Sequence, residues 1–182
     1  IPTVGADVIT RIYEFNRQTT YLLIFDIRGE SIHDTVNDYF FSGASAALIA
    51  FDLTRRETFN NVGEWVGEVR KRIPYPIPMG LLGNKADLQE KRVVKLEEAG
   101  RLSSDIGIGN YLETSAKTAE NVNKAFMEIV ARCFVEGPKD YRLAKSVEEV
   151  IANIHPADQE LISEVKKLDS IGRKNTAGAK KN

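Results

Sequence analysis

Polar side chains that could recognise a ligand come directly after three short apolar runs of this sequence. They are Asp26 with Gly29, the run Asn84-Lys85-Ala86-Asp87, and the run Glu113-Thr114-Ser115-Ala116-Lys117. Carboxylates accept hydrogen bonds, amides donate and accept them, and lysines carry positive charge. Because ligands bind at the carboxyl ends of the strands in open α/β sheets, the three clusters predict one ligand crevice at a sheet edge.

The elements that would position these clusters are short strands alternating with helices. Continuous apolar runs at Ala46–Phe51 and Met79–Leu82 predict strands that are covered on both faces. Two β-rich runs, Asp7–Phe15 and Tyr21–Phe25, predict an antiparallel hairpin closed by a five-residue loop. The predicted fold class is therefore α/β, a sheet with helical crossovers.

Two amphipathic helices are predicted to flank this sheet. Thr54 and Glu57 have capping-box spacing at the start of the first helix. Its predicted buried face consists of Phe59, Val62, Val66 and Val69, with Trp65 at the edge. The second helix begins near Glu120 and keeps the helical period of apolar residues as far as Cys133, before Gly137-Pro138 ends it.

The pattern changes beyond residue 136, which divides the chain into three predicted parts. Residues 1–136 would form the compact domain. Residues 137–171 contain two short amphipathic stretches and are interpreted as a helical tail. Residues 172–182 are small, polar and basic, and we expect them to be disordered.

Composition excludes several classes of function. The chain has 25 basic and 26 acidic residues, so charge gives no argument for a nucleic-acid partner. Its single cysteine cannot form an internal disulfide, which indicates a reducing, cytoplasmic setting. No apolar run approaches the roughly 20 residues that span a bilayer, so we expect contact with membranes only through partners. Neither His33 nor His155 has a second ligand at metal-binding spacing.

The order and spacing of the polar clusters resemble those of the Ras superfamily of small GTPases, and of its Rab branch in particular. Residues 84–87 resemble the NKxD guanine-recognition motif, and residues 113–117 are similar to the ETSAK motif. Residues 2–7 resemble switch I, and residues 26–30 stand where switch II has DTAGQ. Two further resemblances, at residues 39–44 and 51–54, complete a series in family order over residues 1–134. The resemblance implies a P-loop NTPase-like fold, the three-layer Ras-like G domain.

The resemblance also implies a guanine-binding set. Its members are Asn84, Lys85, Asp87, Ser115, Ala116 and Lys117. The Asp87 carboxylate would accept hydrogen bonds from N1–H and the amino group of guanine, a pair that adenine does not offer. Asn84 and Lys85 would pack under the base and brace the neighbouring loops. The Ala116 N–H would donate to the guanine oxygen, and Lys117 would cover the other face of the base.

The magnesium and catalytic residues are likewise implied by resemblance. Thr3 would ligate Mg²⁺ and sense the γ-phosphate of GTP, while Asp26 would hold the ion through water. Gly29 and Glu30 belong to switch II, where the family has a glutamine that orients the attacking water. An ionised Glu30 cannot donate a hydrogen bond and would repel the γ-phosphate, so we expect slow hydrolysis of GTP.

Two departures from the family affect this expectation. No G-x-x-x-x-G-K-[ST] phosphate-binding loop occurs in the sequence. The family places that loop just upstream of switch I, with a central strand and a helix, so we expect an N-terminally incomplete domain from a longer protein. The C-terminal residues contain no cysteine, so no prenyl anchor is expected.

Two functions of different classes remain open at this point. The first is a guanine-nucleotide switch in signal transduction or vesicle traffic, which hydrolyses GTP to GDP with Mg²⁺. Its partners would be effectors that read the switches, an exchange factor and a GTPase-activating protein. The second is a pseudo-GTPase, a non-catalytic interaction module that keeps the fold without turning over nucleotide.

Overall fold

The computed structural model describes residues 6–15, 18–27, 41, 43–109 and 111–136. The chain divides into one unit of residues 1–43 with 140–182 and a second unit of residues 44–139. The described strands of the first unit form a two-stranded sheet, and those of the second form a three-stranded sheet. Within the described part of the chain, no helix is both long and apolar enough to cross a lipid bilayer.

The first unit contains an antiparallel hairpin. Strand β1 runs from Ala6 to Phe15 and strand β2 from Gln18 to Ile27. Phe15 pairs opposite Gln18, so two residues separate the strands. The predicted hairpin is confirmed, but the predicted five-residue loop is wrong. Thr19 and Thr20 belong to β2 because β-branched residues fit a pleated strand.

The second unit contains a parallel sheet in the order β3-β4-β5. Its strands are β3 (Ala47–Asp52), β4 (Met79–Asn84) and β5 (Tyr111–Glu113). The two predicted strands are confirmed, and each continues to the first polar residue after its apolar run. The central strand β4 therefore delivers Asn84 at its carboxyl end, while β3 delivers Asp52.

Four helices and one 3₁₀ turn are described in the second unit. They are α1 (Arg56–Asn60), α2 (Val62–Arg72), the 3₁₀ turn Gln89–Lys91, α3 (Leu96–Asp105) and α4 (Val122–Glu136). The first predicted helix is interrupted at Asn61, but its predicted apolar face is buried as expected. The predicted capping box is wrong, because α1 begins at Arg56 and no side chain caps it.

Helices cover both faces of the parallel sheet. On one face, the Phe59 ring of α1 meets the Phe51 ring edge-on, with the ring centroids 5.1 Å apart. Successive side chains of a strand point to opposite faces, so Leu48 lies on the other face from Ile49. There Leu48, Leu82 and Leu112 face Ala125 and Ile129 of α4 across a small cavity of about 20 Å³. The layers are therefore helix, sheet and helix, as the resemblance predicts.

Candidate functional site

Two loops lie side by side at the carboxyl ends of β4 and β5. The first loop is residues 84–87, and the second loop is residues 114–117. The Thr114 N–H donates to the Gly83 carbonyl at 2.9 Å, and the Ala86 N–H donates to the Thr114 carbonyl at 3.0 Å. These bonds continue the pairing of the parallel strands into the loops. The structure thus brings the two predicted guanine motifs together.

Side chains of the two loops also bind each other. The Ser115 hydroxyl donates to Oδ1 of Asp87 at 2.6 Å and accepts from the Thr118 N–H at 3.1 Å. Ser115 has no exposed surface. Its hydroxyl therefore fixes the orientation of the Asp87 carboxylate. Among the described residues, Oδ2 of Asp87 has no hydrogen-bond partner, and this oxygen can accept from a ligand.

The Ala116 N–H was expected to donate to a guanine oxygen. In the structure it donates to Oδ1 of Asn84 at 3.1 Å. A base oxygen at this position would have to share that N–H with Asn84 or replace Asn84 as its acceptor. Asn84 therefore braces the second loop, as predicted, while Ala116 and Lys117 are exposed at its surface.

Asp52 is a site residue that the sequence reasoning missed. Its Oδ2 lies 2.7 Å from Nζ of Lys85, and its Oδ1 accepts from the N–H and the hydroxyl of Thr54 at 2.8 and 2.7 Å. Burial raises the pKa of Asp52, but the hydrogen bonds from Lys85 and Thr54 outweigh burial and lower this pKa below its ordinary value. A signal was present, since Asp52 directly follows the predicted strand Ala46–Phe51, and Asn84 follows the predicted strand Met79–Leu82 after a single glycine.

Two partners of Glu113, the residue before the second loop, were also missed by the sequence reasoning: Arg92 and Tyr111. The Arg92 guanidinium binds both carboxylate oxygens of Glu113, at 2.7 and 2.6 Å, and the Tyr111 hydroxyl donates to the same carboxylate at 2.9 Å. The hydrogen bonds from Arg92 lower the pKa of Glu113 although burial opposes this shift. Burial first, and then the hydrogen bond to Glu113, raise the pKa of Tyr111. Nothing in the local sequence identifies Arg92 as the partner of Glu113.

The remaining predicted site residues are placed as follows. Thr3, Gly29 and Glu30 lie outside the described residues. Asp26 is exposed near the end of β2, opposite Asp7 within the hairpin. Among the described residues, no group of three or more histidine, cysteine or acidic side chains could hold a metal ion. Ligation of Mg²⁺ by Thr3 and Asp26 stays a prediction.

Known proteins share this sequence pattern. The sequence profile of the Ras family matches residues 1–134. Ras-related protein RIC1 of Oryza sativa is 40% identical over 127 residues, which are 70% of this chain and 62% of that relative. Ras-related protein Rab-19 of Rattus norvegicus is 37% identical over 134 residues, covering 71% of this chain and 62% of its own length. Ras-related protein RABD2a of Arabidopsis thaliana is 37% identical over 131 residues, which are 72% of this chain and 64% of that relative.

The chain spans a little under two thirds of the length of these curated relatives. The family profile nevertheless covers well over half of the chain, and the matched region contains both described loops. The three-layer arrangement of the second unit agrees with a P-loop GTPase fold. The chain therefore belongs to the Ras family, as a Rab-like small GTPase of the Ras superfamily.

Proposed function

We propose that this protein is a guanine-nucleotide switch that hydrolyses GTP to GDP. The observation that carries the proposal is the Asp87 carboxylate, which Ser115 holds by one oxygen at 2.6 Å at the edge where two loops meet. A carboxylate can accept from both N1–H and the amino group of guanine. Adenine would leave it unpaired, and an unpaired polar group of this kind discriminates strongly between ligands.

The neighbouring side chains suit a planar base. Lys85 is half exposed, and its ammonium group is held by Asp52 at 2.7 Å, so its methylene groups can line one face of the base. Lys117 is exposed and can cover the other face. Asn84 would position the second loop by accepting from the Ala116 N–H, and Ser115 would orient Asp87. Neither side chain needs to contact the base.

Hydrolysis would depend on residues outside the described second unit. Thr3 and Asp26 would hold Mg²⁺, which when bound neutralises charge on the phosphate oxygens. Gly29 and Glu30 would lie beside the γ-phosphate. Because ionised Glu30 cannot donate a hydrogen bond, we propose that hydrolysis is slow. The phosphate-binding loop would have to come from sequence outside these 182 residues.

The proposal extends to partners and to the organisation of the chain. Effectors would read switches I and II, and an exchange factor and a GTPase-activating protein would set the cycle, in signalling or vesicle traffic. The protein would be cytoplasmic, with any membrane contact made through partners. Residues 1–136 would be the G domain, with residues 137–171 as a helical tail and 172–182 as a basic terminus.

Binding of fluorescent GDP, with and without Mg²⁺, tests the guanine assignment. It should be measured on this chain and on a version extended upstream by a segment with a phosphate-binding loop. We expect tighter binding by the extended version and a loss of about 100-fold on Asp87→Ala, since hydrogen bonds to charged groups contribute about 1.5–3 kcal/mol each. Asp105→Ala, an exposed carboxylate at the end of α3, is the matched control and should bind as the wild type does.

The same measurement decides between the two classes of function. If the extended version folds but neither protein binds GDP, the interaction-module alternative is correct. If GDP binds, single-turnover hydrolysis of GTP by the extended version tests Glu30. Glu30→Gln should then raise the rate, and an unchanged rate would contradict the proposed role of Glu30.

A further inference from the structure

Arg92 binds the residue that immediately precedes the second loop. Its two terminal nitrogens lie 2.7 and 2.6 Å from the two carboxylate oxygens of Glu113. Both side chains are only 20% exposed, so water screens this pair weakly. A two-point contact between a guanidinium and a carboxylate fixes distance and orientation together. Arg92 thereby fixes the position of the Glu113 side chain.

The remaining guanidinium nitrogen of Arg92 is connected to the first loop through Gln89. Nε of Arg92 donates to Oε1 of Gln89 at 3.2 Å, and Nε2 of Gln89 donates to the carbonyl of Ala86 at 2.6 Å. Ala86 lies in the first loop, next to Asp87. A continuous chain of hydrogen bonds therefore runs from the first loop through Gln89 and Arg92 to Glu113.

Glu113 is itself held on two further sides. Tyr111 donates its hydroxyl to Oε1 of Glu113 at 2.9 Å, and its ring stacks on Phe51 with the centroids 6.1 Å apart. The backbone carbonyl of Glu113 accepts from Nδ2 of Asn121 at 2.8 Å. A displacement of Arg92 would consequently be transmitted to the backbone that leads into Ser115 and Ala116.

We propose that Arg92 is a positioning residue that sets the separation between Asp87 and Ala116, and through it the preference for guanine. This inference rests on the proposed function, because it concerns how the same loops select their base. Arg92 would act without contacting the base, through Gln89 on the first loop and through Glu113 on the second. Hydrogen bonds to a base require a fixed spacing between the two loops. Weakening the hydrogen-bond chain from Ala86 through Gln89 and Arg92 to Glu113 should therefore lower the selectivity for guanine.

The ratio of GDP affinity to inosine diphosphate affinity tests this role. Hypoxanthine lacks the amino group that guanine would present to Asp87, so the ratio reports that contact. It is measured by competition in ligand-observed NMR, on the 182-residue chain or, if only the version extended upstream binds GDP, on that version. Arg92→Lys keeps the charge but loses the two-point contact, and we expect the ratio to fall about tenfold. Arg101→Lys, at an exposed position on α3, is the matched control and should leave the ratio unchanged.

Simple destabilisation would lower both affinities equally, because both nucleotides depend on the same folded population. An unchanged ratio in Arg92→Lys would therefore overturn the proposal. If Arg92→Lys does not fold, Gln89→Leu removes the hydrogen bonds from Arg92 to Gln89 and from Gln89 to Ala86, and leaves the ion pair between Arg92 and Glu113 intact. A fall of the ratio in Gln89→Leu would support the proposal, and an unchanged ratio would overturn it.

A second readout separates this inference from the proposed function. If neither the 182-residue chain nor the version extended upstream binds GDP, or if the version that binds does not prefer GDP to inosine diphosphate, the guanine assignment is wrong whatever Arg92 does. The amide NMR signals of Ser115 and Ala116 are then compared without nucleotide in the wild type, Arg92→Lys and Arg101→Lys. Signals that move only in Arg92→Lys support a positioning role, and signals that do not move overturn it.

Discussion

Lys85 is constrained in two different ways. Its backbone has φ of +67°, in the left-handed region that costs an L-residue about 1–2 kcal/mol. Its ammonium group is fixed by Asp52 at 2.7 Å. The backbone conformation turns the chain sharply after β4, and the ion pair directs the side chain back towards the end of β3. Asp52 and Lys85 thus join two strand ends at the candidate site.

The Asp52–Lys85 pair predicts how the Asp52 carboxyl titrates. Lys85→Met removes the hydrogen bond that lowers the pKa of Asp52 while burial, which raises it, persists, so the pKa should rise above the wild-type value. Carbon-13 NMR of the carboxyl group measures it, and the wild-type midpoint should lie below the ordinary 3.8. Lys91→Met, at an exposed position, is the control. Identical midpoints in wild type and Lys85→Met would contradict the assigned cause.

The same pair also affects acid stability, in a direction that follows from proton binding. The native state holds the Asp52 proton less tightly than the unfolded chain, so stability from this carboxylate is complete above pH 3.8. It is lost as the pH falls through the lower native pKa. The free energy of unfolding of Asp52→Asn should therefore fall less than that of the wild type as the pH is lowered through this range.

Single residues of the site were predictable to different degrees. Asn84, Lys85 and Asp87 were predicted because they lie within four consecutive residues that follow an apolar run. Arg92 was not found, because its partner Glu113 is 21 residues away and only the fold brings them together. A lone arginine after a turn has no local signal that distinguishes it from a solvated surface residue.

The turn from β5 into α4 uses strained backbone at the element scale. Ala119 has φ of +62° and Asn121 has φ of +55°. Asparagine tolerates this region better than alanine does, because its short polar side chain bonds locally. The Asn121 side chain also donates to the Glu113 carbonyl, eight residues earlier in the chain, at 2.8 Å. Ala119 has no polar side chain that could form a compensating hydrogen bond, so a substitution at Ala119 can relieve more strain than one at Asn121.

Ala119→Gly should therefore stabilise the protein by up to about 1 kcal/mol, because glycine adopts positive φ without steric cost. Chemical denaturation measures the free energy of unfolding. The control is Ala131→Gly inside α4, where the same change should destabilise by about 1 kcal/mol. If both substitutions destabilise equally, the turn is not strained at Ala119.

Helices with strong apolar periodicity were predicted well, whereas helix α3 was not predicted. The buried face of α1 and α2 follows the 3.6-residue period, and the structure confirms it. Helix α3 was missed because Gly100, Ser103 and Ser104 are weak helix formers within it. Its stability comes from packing, since Ala99 and Ser103 are buried and the Ser103 hydroxyl donates to the Gly109 carbonyl. Tertiary contacts of this kind cannot be read from local propensity.

At the scale of the whole molecule, the central strand of the parallel sheet determines how well the second unit holds together. Leu81 lies in the middle of β4 and has no exposed surface. It pairs with Ile49 of β3 on one side and with Tyr111 of β5 on the other. The candidate loops extend from this strand and from β5, so their positions depend on the core beneath them.

Leu81→Ala should lower the free energy of unfolding by about 2–5 kcal/mol, the loss expected when a fully buried leucine is truncated. The matched control is Leu96→Ala, because Leu96 is 55% exposed and its truncation should change stability by less than about 0.5 kcal/mol. Urea denaturation of both variants gives the comparison. Equal losses would show that β4 does not form the core of the unit.

The α/β class was predictable, and so was the meeting of the loops 84–87 and 114–117 at one edge of the parallel sheet. Apolar runs that end in polar clusters are visible in the sequence, and parallel strands place their carboxyl ends at one edge. The side-chain contacts at that edge were not predictable, because the Asp52–Lys85 and Arg92–Glu113 ion pairs depend on how the fold places separate segments of the chain.

The two described sheets also differ in how quickly a newly made chain can form them. Strands β1 and β2 are separated by two residues, and hairpins of this kind close within about 1–10 μs. Each parallel pair of β3, β4 and β5 instead joins segments that are separated by helices, so a long loop must close before any pairing energy is gained. During that delay the apolar runs of β3 and β4 are exposed to other unfolded chains. Of the two described sheets, the one that carries the candidate site is therefore the more vulnerable to aggregation while it assembles.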